Sequence, residues 1–191
     1  MAASRPESST KEVLVGRSEV LQQLTRRRHE AGRGDLAVSV LEGEAGIGKT
    51  AVAERAKSDA ASDGLATVWV QGVEVDAALA YGGLLELLTA LRSHLTELPE
   101  RQSAVLSGAV GWSADGVEGD RFQVAAATLG LLAQVAESTP LLVVIDDLEW
   151  LDAESAIMFA ARRLRYDRVA FVVTRRSNGA SQHDVPKMLA V

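Results

Sequence analysis

The stretch from Leu36 to Thr50 constrains this chain more than any other. There the apolar run Leu36-Ala-Val-Ser-Val-Leu41 breaks into Gly43-Glu-Ala-Gly-Ile-Gly48-Lys49-Thr50 and then into a helix-forming segment. Two glycines bracket four residues and are followed by lysine and a hydroxyl side chain, the G-x-x-x-x-G-K-[ST] spacing. Glycine takes backbone angles closed to other residues, so such a loop can curl and aim successive N–H groups at one anion. A helix that starts near Gly48 adds unpaired N–H donors and its positive dipole end at the same point. Glu44, Ala45, Gly46, Ile47, Gly48, Lys49, Thr50 and Ala51 are therefore the candidate phosphate cradle. Lys49 would reach the β- and γ-phosphates, and the Thr50 hydroxyl would ligate Mg²⁺. The chain has four lysines against sixteen arginines, so a lysine where a compact ammonium suits phosphate is informative.

A second candidate site closes the apolar run Leu141-Leu-Val-Val-Ile145, which ends in Asp146-Asp147. The C-terminal ends of buried parallel strands are where open α/β sheets place ligands. Asp146 is the candidate metal carboxylate, and Asp147 the candidate group that orients or deprotonates an attacking water. Adjacent strand residues point to opposite faces, so the two cannot share one task. Arg168-Val-Ala-Phe-Val-Val-Thr174 reads as a further strand with Arg175 and Arg176 at its end. A cation there could stabilise charge on a γ-phosphate.

The 191 residues suffice for one substantial α/β core. A net charge of −6 argues against a surface that is wholly a nucleic-acid binder. With no cysteine, and His29, His94 and His183 scattered, there is no disulfide framework and no metal-ligand spacing. No apolar run approaches the length of a membrane span, and the expectation is a cytoplasmic protein. Residues 1–12 read as a disordered leader. Ser18 is a candidate cap for a helix whose far end, Arg26-Arg-Arg-His29, reads as solvated cations complementing the helix dipole. Strand, helix to about Ser62 and strand Leu65–Val70 make a βαβ unit. Residues 72–138 carry helical packing patterns, with Pro99 opening one helix and Asp120 capping another, but no compelled chemistry. Lys187–Val191 looks like a fifth strand cut short.

Val15-Gly16-Arg17-Ser18-Glu19, Gly43–Thr50, Leu141–Asp152 and Ala161-Arg-Arg-Leu164 together resemble the ATPase domain of the STAND class of AAA-related P-loop proteins. They are most similar to the large ATP-binding regulators of the LuxR family. Tyr81–Leu88, Leu98-Pro-Glu-Arg-Gln102 and Asp120-Arg-Phe122 with Leu129-Gly-Leu-Leu132 extend the resemblance over nearly the whole chain. It implies a three-layer P-loop NTPase of ASCE/AAA-like type, a parallel sheet flanked by helices, with the lid and effector domains absent and residues 13–191 forming the core. It further implies that Gly16 and Arg17 lie near the adenine and ribose. Asp146 and Asp147 would be the Walker B acids, and Arg175, or less directly Arg176, the sensor. The sensor strand should lie between the P-loop strand and the Walker B strand. Where many relatives have histidine before the tryptophan, this chain has Glu149.

The implied function is an ATP/ADP-binding, Mg²⁺-dependent, slowly hydrolysing switch of a signal-responsive transcriptional regulator. ATP would favour self-association, and DNA would be contacted only through a domain absent from this chain. The alternatives are a nucleotide-binding interaction scaffold without significant turnover and an AAA ATPase acting directly on DNA. The acidic balance weighs against the latter.

Overall fold

The computed structural model describes residues 16–35, 37–74, 81–113, 119–151, 156–164 and 166–177. The expected leader, the fifth strand at 187–191 and residues 152–155 lie outside the described residues. Helix α1 (Ser18–Gly32) leads into strand β1 (Ala37–Gly43), helix α2 (Lys49–Ser62) and strand β2 (Ala66–Gln71). Helices α3 (Gly82–Ala90), α4 (Glu100–Ala109) and α5 (Arg121–Ser138) follow, with a 3-10 segment at Arg92–Glu97. Strand β3 (Leu141–Asp146), a 3-10 turn (Leu148–Trp150), helix α6 (Ala156–Ala161) and strand β4 (Val169–Arg176) complete the order.

The four strands are parallel and lie in the order β1-β4-β3-β2. The strand carrying Arg175 thus separates the glycine-loop strand from the Asp146 strand, as the resemblance implies. Both faces of the sheet are buried, which explains the near-continuous apolar runs. Alternate residues divide between two cores. Ala37, Leu41, Leu142, Val144, Ala170 and Val172 pack with Leu24 of α1 and with Val52, Ala53, Ala56 and Ala60 of α2. Val38, Val40, Val143, Ile145, Phe171 and Val173 pack with leucines of α3 and α5 and with Ile157 of α6. The result is the three-layer α/β architecture.

Local chemistry accounts for the helix ends, with some revisions. Asp120 accepts from the Gln123 backbone N–H while the Gln123 side chain accepts from Asp120 N–H, a full capping box on α5. Ser18 is not the cap of α1: Arg17 occupies that position without a side-chain cap, and Ser18 is already helical. Pro99 stands one position earlier than the first helical residue, as the N-cap of α4. The reading of Arg26–Arg28 as solvated cations fails at Arg28, which is buried and paired to Asp63 at the end of α2. Three consecutive residues on a helix face three directions, so one of them must turn inward against α2.

Candidate functional site

The glycine loop joins β1 to α2. Gly48 is the N-cap of α2 with φ 92°, a left-handed conformation that strains any other residue type. The first turn of α2 therefore starts at Lys49, and its unpaired N–H groups face the loop. Lys49 Nζ donates to the carbonyls of Gly43 at 3.1 Å and Glu44 at 2.9 Å, so the ammonium lies along the loop itself. Arg17 Nη2 donates to Ile47 O at 2.9 Å, tying the start of α1 to the loop. A cleft lined by Arg17, Val20, Leu41, Glu42, Ile47, Gly48, Lys49 and Val52 opens between them. Gly16, Arg17 and the Glu44–Ala51 loop are thus brought into one neighbourhood by chain segments 30 residues apart.

The carboxylate pair meets this loop from β3. Asp146 is 2% exposed, a burial that a carboxylate tolerates only when its oxygens are satisfied. Thr50 Oγ1 lies 3.0 Å from Asp146 Oδ2 and 3.2 Å from Oδ1, and Thr174 Oγ1 donates to Oδ1 at 2.5 Å. Thr174 Oγ1 also accepts from the Asp147 N–H at 2.9 Å. Asp147 itself leaves the strand in the left-handed region, φ 51° and ψ 57°, which Asp tolerates better than most residues. Its carbonyl packs against Gly72: a Cβ built there would lie 2.1 Å from Asp147 O, and Gly72 N–H donates to Asp146 O at 2.8 Å. The backbone of Asp147 is therefore gripped from β4 and from the end of β2.

Electrostatics distinguish the two acids. Burial raises the Asp147 carboxyl above its ordinary range, with the charges of Asp146 and Glu149 adding to the rise and those of Arg176 and Lys49 opposing it. A carboxylate so placed holds a proton more readily than an exposed one, a property suited to a base. Gln71 Nε2 lies 3.5 Å from Asp147 Oδ2, and the Gln71 side-chain oxygen accepts from Trp69 Nε1 at 3.1 Å.

The two arginines of β4 take different partners. Arg175 donates from Nε and Nη2 to Glu42 Oε2, at 2.9 and 2.6 Å. Glu42 is the residue just before Gly43, and in register it faces Arg175 across the β1–β4 ladder. Arg176 pairs with Glu149 and lies 5.7 Å from the centre of the Trp150 ring.

Among the described residues no group of three or more Asp, Glu, His or Cys side chains is placed to hold a metal ion. Mg²⁺ fits this arrangement nonetheless, because it is commonly held by one carboxylate and a hydroxyl together with waters and phosphate oxygens. Thr50 and Asp146, whose oxygens already meet, are the residues that would hold it. When bound, it would neutralise charge on the phosphates of a nucleotide.

Sequence reasoning missed Thr174, Gln71, Glu42 and Gly72. Each ends or follows an apolar strand run, and a polar or small residue at that place is the signal that could have found them.

A parallel sheet with a glycine loop after one strand and a paired carboxylate two strands away defines a P-loop nucleotide-binding domain. The chain belongs to the AAA ATPase domain family, whose model matches residues 13–172. Membership implies nucleotide binding and hydrolysis, with the Mg²⁺ such domains typically require. The fold is also similar to that of a chain in the E. coli MS115-1 HORMA:CdnC:Trip13 complex, with 14% identity and a TM-score of 0.50. That match covers 86% of this chain but 57% of the other, so this chain spans little more than half its length. No curated protein sequence matches. Among the described residues no helix is long and apolar enough to cross a membrane.

Proposed function

We propose that this chain is the ATP- and ADP-binding, weakly hydrolysing switch module of a signal-responsive transcriptional regulator, of the STAND type seen in large LuxR-family regulators. The observation that supports its nucleotide chemistry best is the meeting of Thr50 and Thr174 on the buried Asp146, with Lys49 on the adjoining loop. In this reading the Gly43–Ala51 backbone and Lys49 hold the phosphates, and Arg17 with Gly16 borders the base and ribose. Thr50 and Asp146 hold Mg²⁺. Asp147, its backbone gripped by Thr174 and Gly72, orients the attacking water and accepts its proton. Arg175, tied to Glu42 beneath the glycine loop, senses the phosphates through the base of that loop.

A switch requires nucleotide to bind its two states with different affinity. ATP would favour a self-associating form, and DNA contact would belong to a separate domain. Calorimetric titration with ATP–Mg²⁺ and ADP, wild type beside Lys49→Ala, tests the site. Binding should weaken at least about a hundredfold in the variant, as expected when a buried charge partner of phosphate is removed. A folded wild type that binds neither nucleotide would overturn the reading. A phosphate-release assay should give slow turnover that is lost in Asp147→Asn; tight binding without any turnover would favour a scaffold instead.

A further inference from the structure

Glu149 is an anomaly beside this site. Its side chain is only 12% exposed, yet among the described residues neither carboxylate oxygen has a hydrogen-bond partner. An unsatisfied buried carboxylate is among the costliest groups a fold can hold, so its presence calls for an explanation. Arg176 Nε approaches Glu149 Oε1 to 3.2 Å but off the line of a hydrogen bond. The Arg176 side chain is 47% exposed and rests near Trp150 rather than being enclosed. The pair is therefore loose on the arginine side and buried on the glutamate side.

The sheet pattern shows which arginine lies on the face of α2 and Asp146. Alternation along β4 places Arg176 on the face of Val172 and Thr174, the face that α2 and Asp146 share. Arg175 falls on the opposite face, where two hydrogen bonds fasten it to Glu42. Among the described residues, Lys49 and Arg176 are also cations whose charge bears on Asp147.

We propose that Glu149 determines phosphate specificity: it competes with the terminal phosphate of a nucleoside triphosphate for Arg176, and so biases the site toward the diphosphate. The proposal rests on the nucleotide-site reading above. A diphosphate has no terminal group to draw Arg176 away, so the ion pair persists. A triphosphate can recruit Arg176 only by leaving Glu149 buried without its partner, next to added negative charge. That penalty falls on one ligand and not the other, which is what specificity requires.

The test is titration of wild type, Glu149→Gln, Arg176→Gln and the double variant with ATP–Mg²⁺ and ADP–Mg²⁺. Glu149→Gln should tighten ATP about tenfold while ADP changes less than about twofold, a coupling of ordinary size between charged groups. Arg176→Gln should weaken ATP selectively, and in that background Glu149→Gln should have little further effect. An unchanged ATP-to-ADP ratio in Glu149→Gln, or an effect that survives intact without Arg176, overturns the proposal and leaves the nucleotide site standing. A folded wild type that binds neither nucleotide overturns both. Should Glu149→Gln fail to fold, the half-exposed Arg176→Gln variant decides by its own ATP-to-ADP ratio, which must fall.

Discussion

The two faces of the sheet are filled with different side chains. Toward α1 and α2 the core is dominated by small residues, Ala31, Ala37, Ala53, Ala56, Ala60 and Ala170. Toward α3–α6 it is built from Leu84, Leu87, Leu88, Leu106, Leu131, Leu132 and Phe171. Side-chain size at a helix contact sets how closely a helix can approach its neighbour. Alanines let α2 lie close on the sheet, so that Thr50 in its first turn reaches Asp146 on β3. The leucine face carries most of the apolar burial, while Lys49, Thr50 and Asp146 belong to the other. One face supplies stability, and the other trades bulk for the approach of a loop to a carboxylate.

This contrast predicts that damage to the two faces can be told apart. On the leucine face, Leu131→Ala leaves a cavity at a fully buried position and should cost about 2–5 kcal/mol in denaturant unfolding. Nucleotide affinity of the folded fraction should stay near that of wild type. On the alanine face, Ala53→Leu forces bulk between α2 and the sheet and should cost about 1–3 kcal/mol. There affinity for ATP–Mg²⁺ should fall together with stability, because α2 carries Lys49 and Thr50. An affinity that survives would show that close helix approach does not position the site.

Thr174→Val keeps volume and β-branching but removes the hydroxyl between Asp146 and the Asp147 N–H. A loss of about 1–3 kcal/mol is expected for the unsatisfied buried groups. Phosphate release should fall by more than ATP affinity, because Thr174 holds the acids and not the glycine loop.

The smallest effect has the opposite sign. Asp147 carries a raised carboxyl pKa, so the folded protein binds its proton more readily than the unfolded chain does. Stability then falls as pH rises from the ordinary carboxylate value through the raised one, and the charge is a net cost at neutral pH. Asp147→Asn removes that charge and retains a side chain tolerant of positive φ. It should raise the melting temperature slightly, while abolishing turnover. The gain should shrink as pH is lowered into the carboxylate range. A variant less stable than wild type at neutral pH would show that Asp147 holds the fold together as well as serving the site.

Much of this was legible without coordinates because the signals are local. Glycine spacing before Lys49 and Thr50, the apolar run ending at Asp146 and Asp147, and the Asp120 cap at the head of α5 each depend on neighbours in sequence. Backbone sterics, strand burial and capping act over a few residues, so residue order is enough to read them. Arg28 was misread for the complementary reason, since its burial depends on Asp63, 35 residues away.

The identity of the domain, the glycine loop and the carboxylate pair thus followed from the chain's own order of residues. The partners did not. Thr174 meets Asp146 across 28 residues and Arg175 meets Glu42 across 133. Gly72 grips Asp147 only because β2 and β3 are neighbours in a parallel sheet. Such pairings follow from strand order and register, which depend on how two cores pack against both faces at once. No single segment carries that information, and the charge balance around Asp147 is set by it.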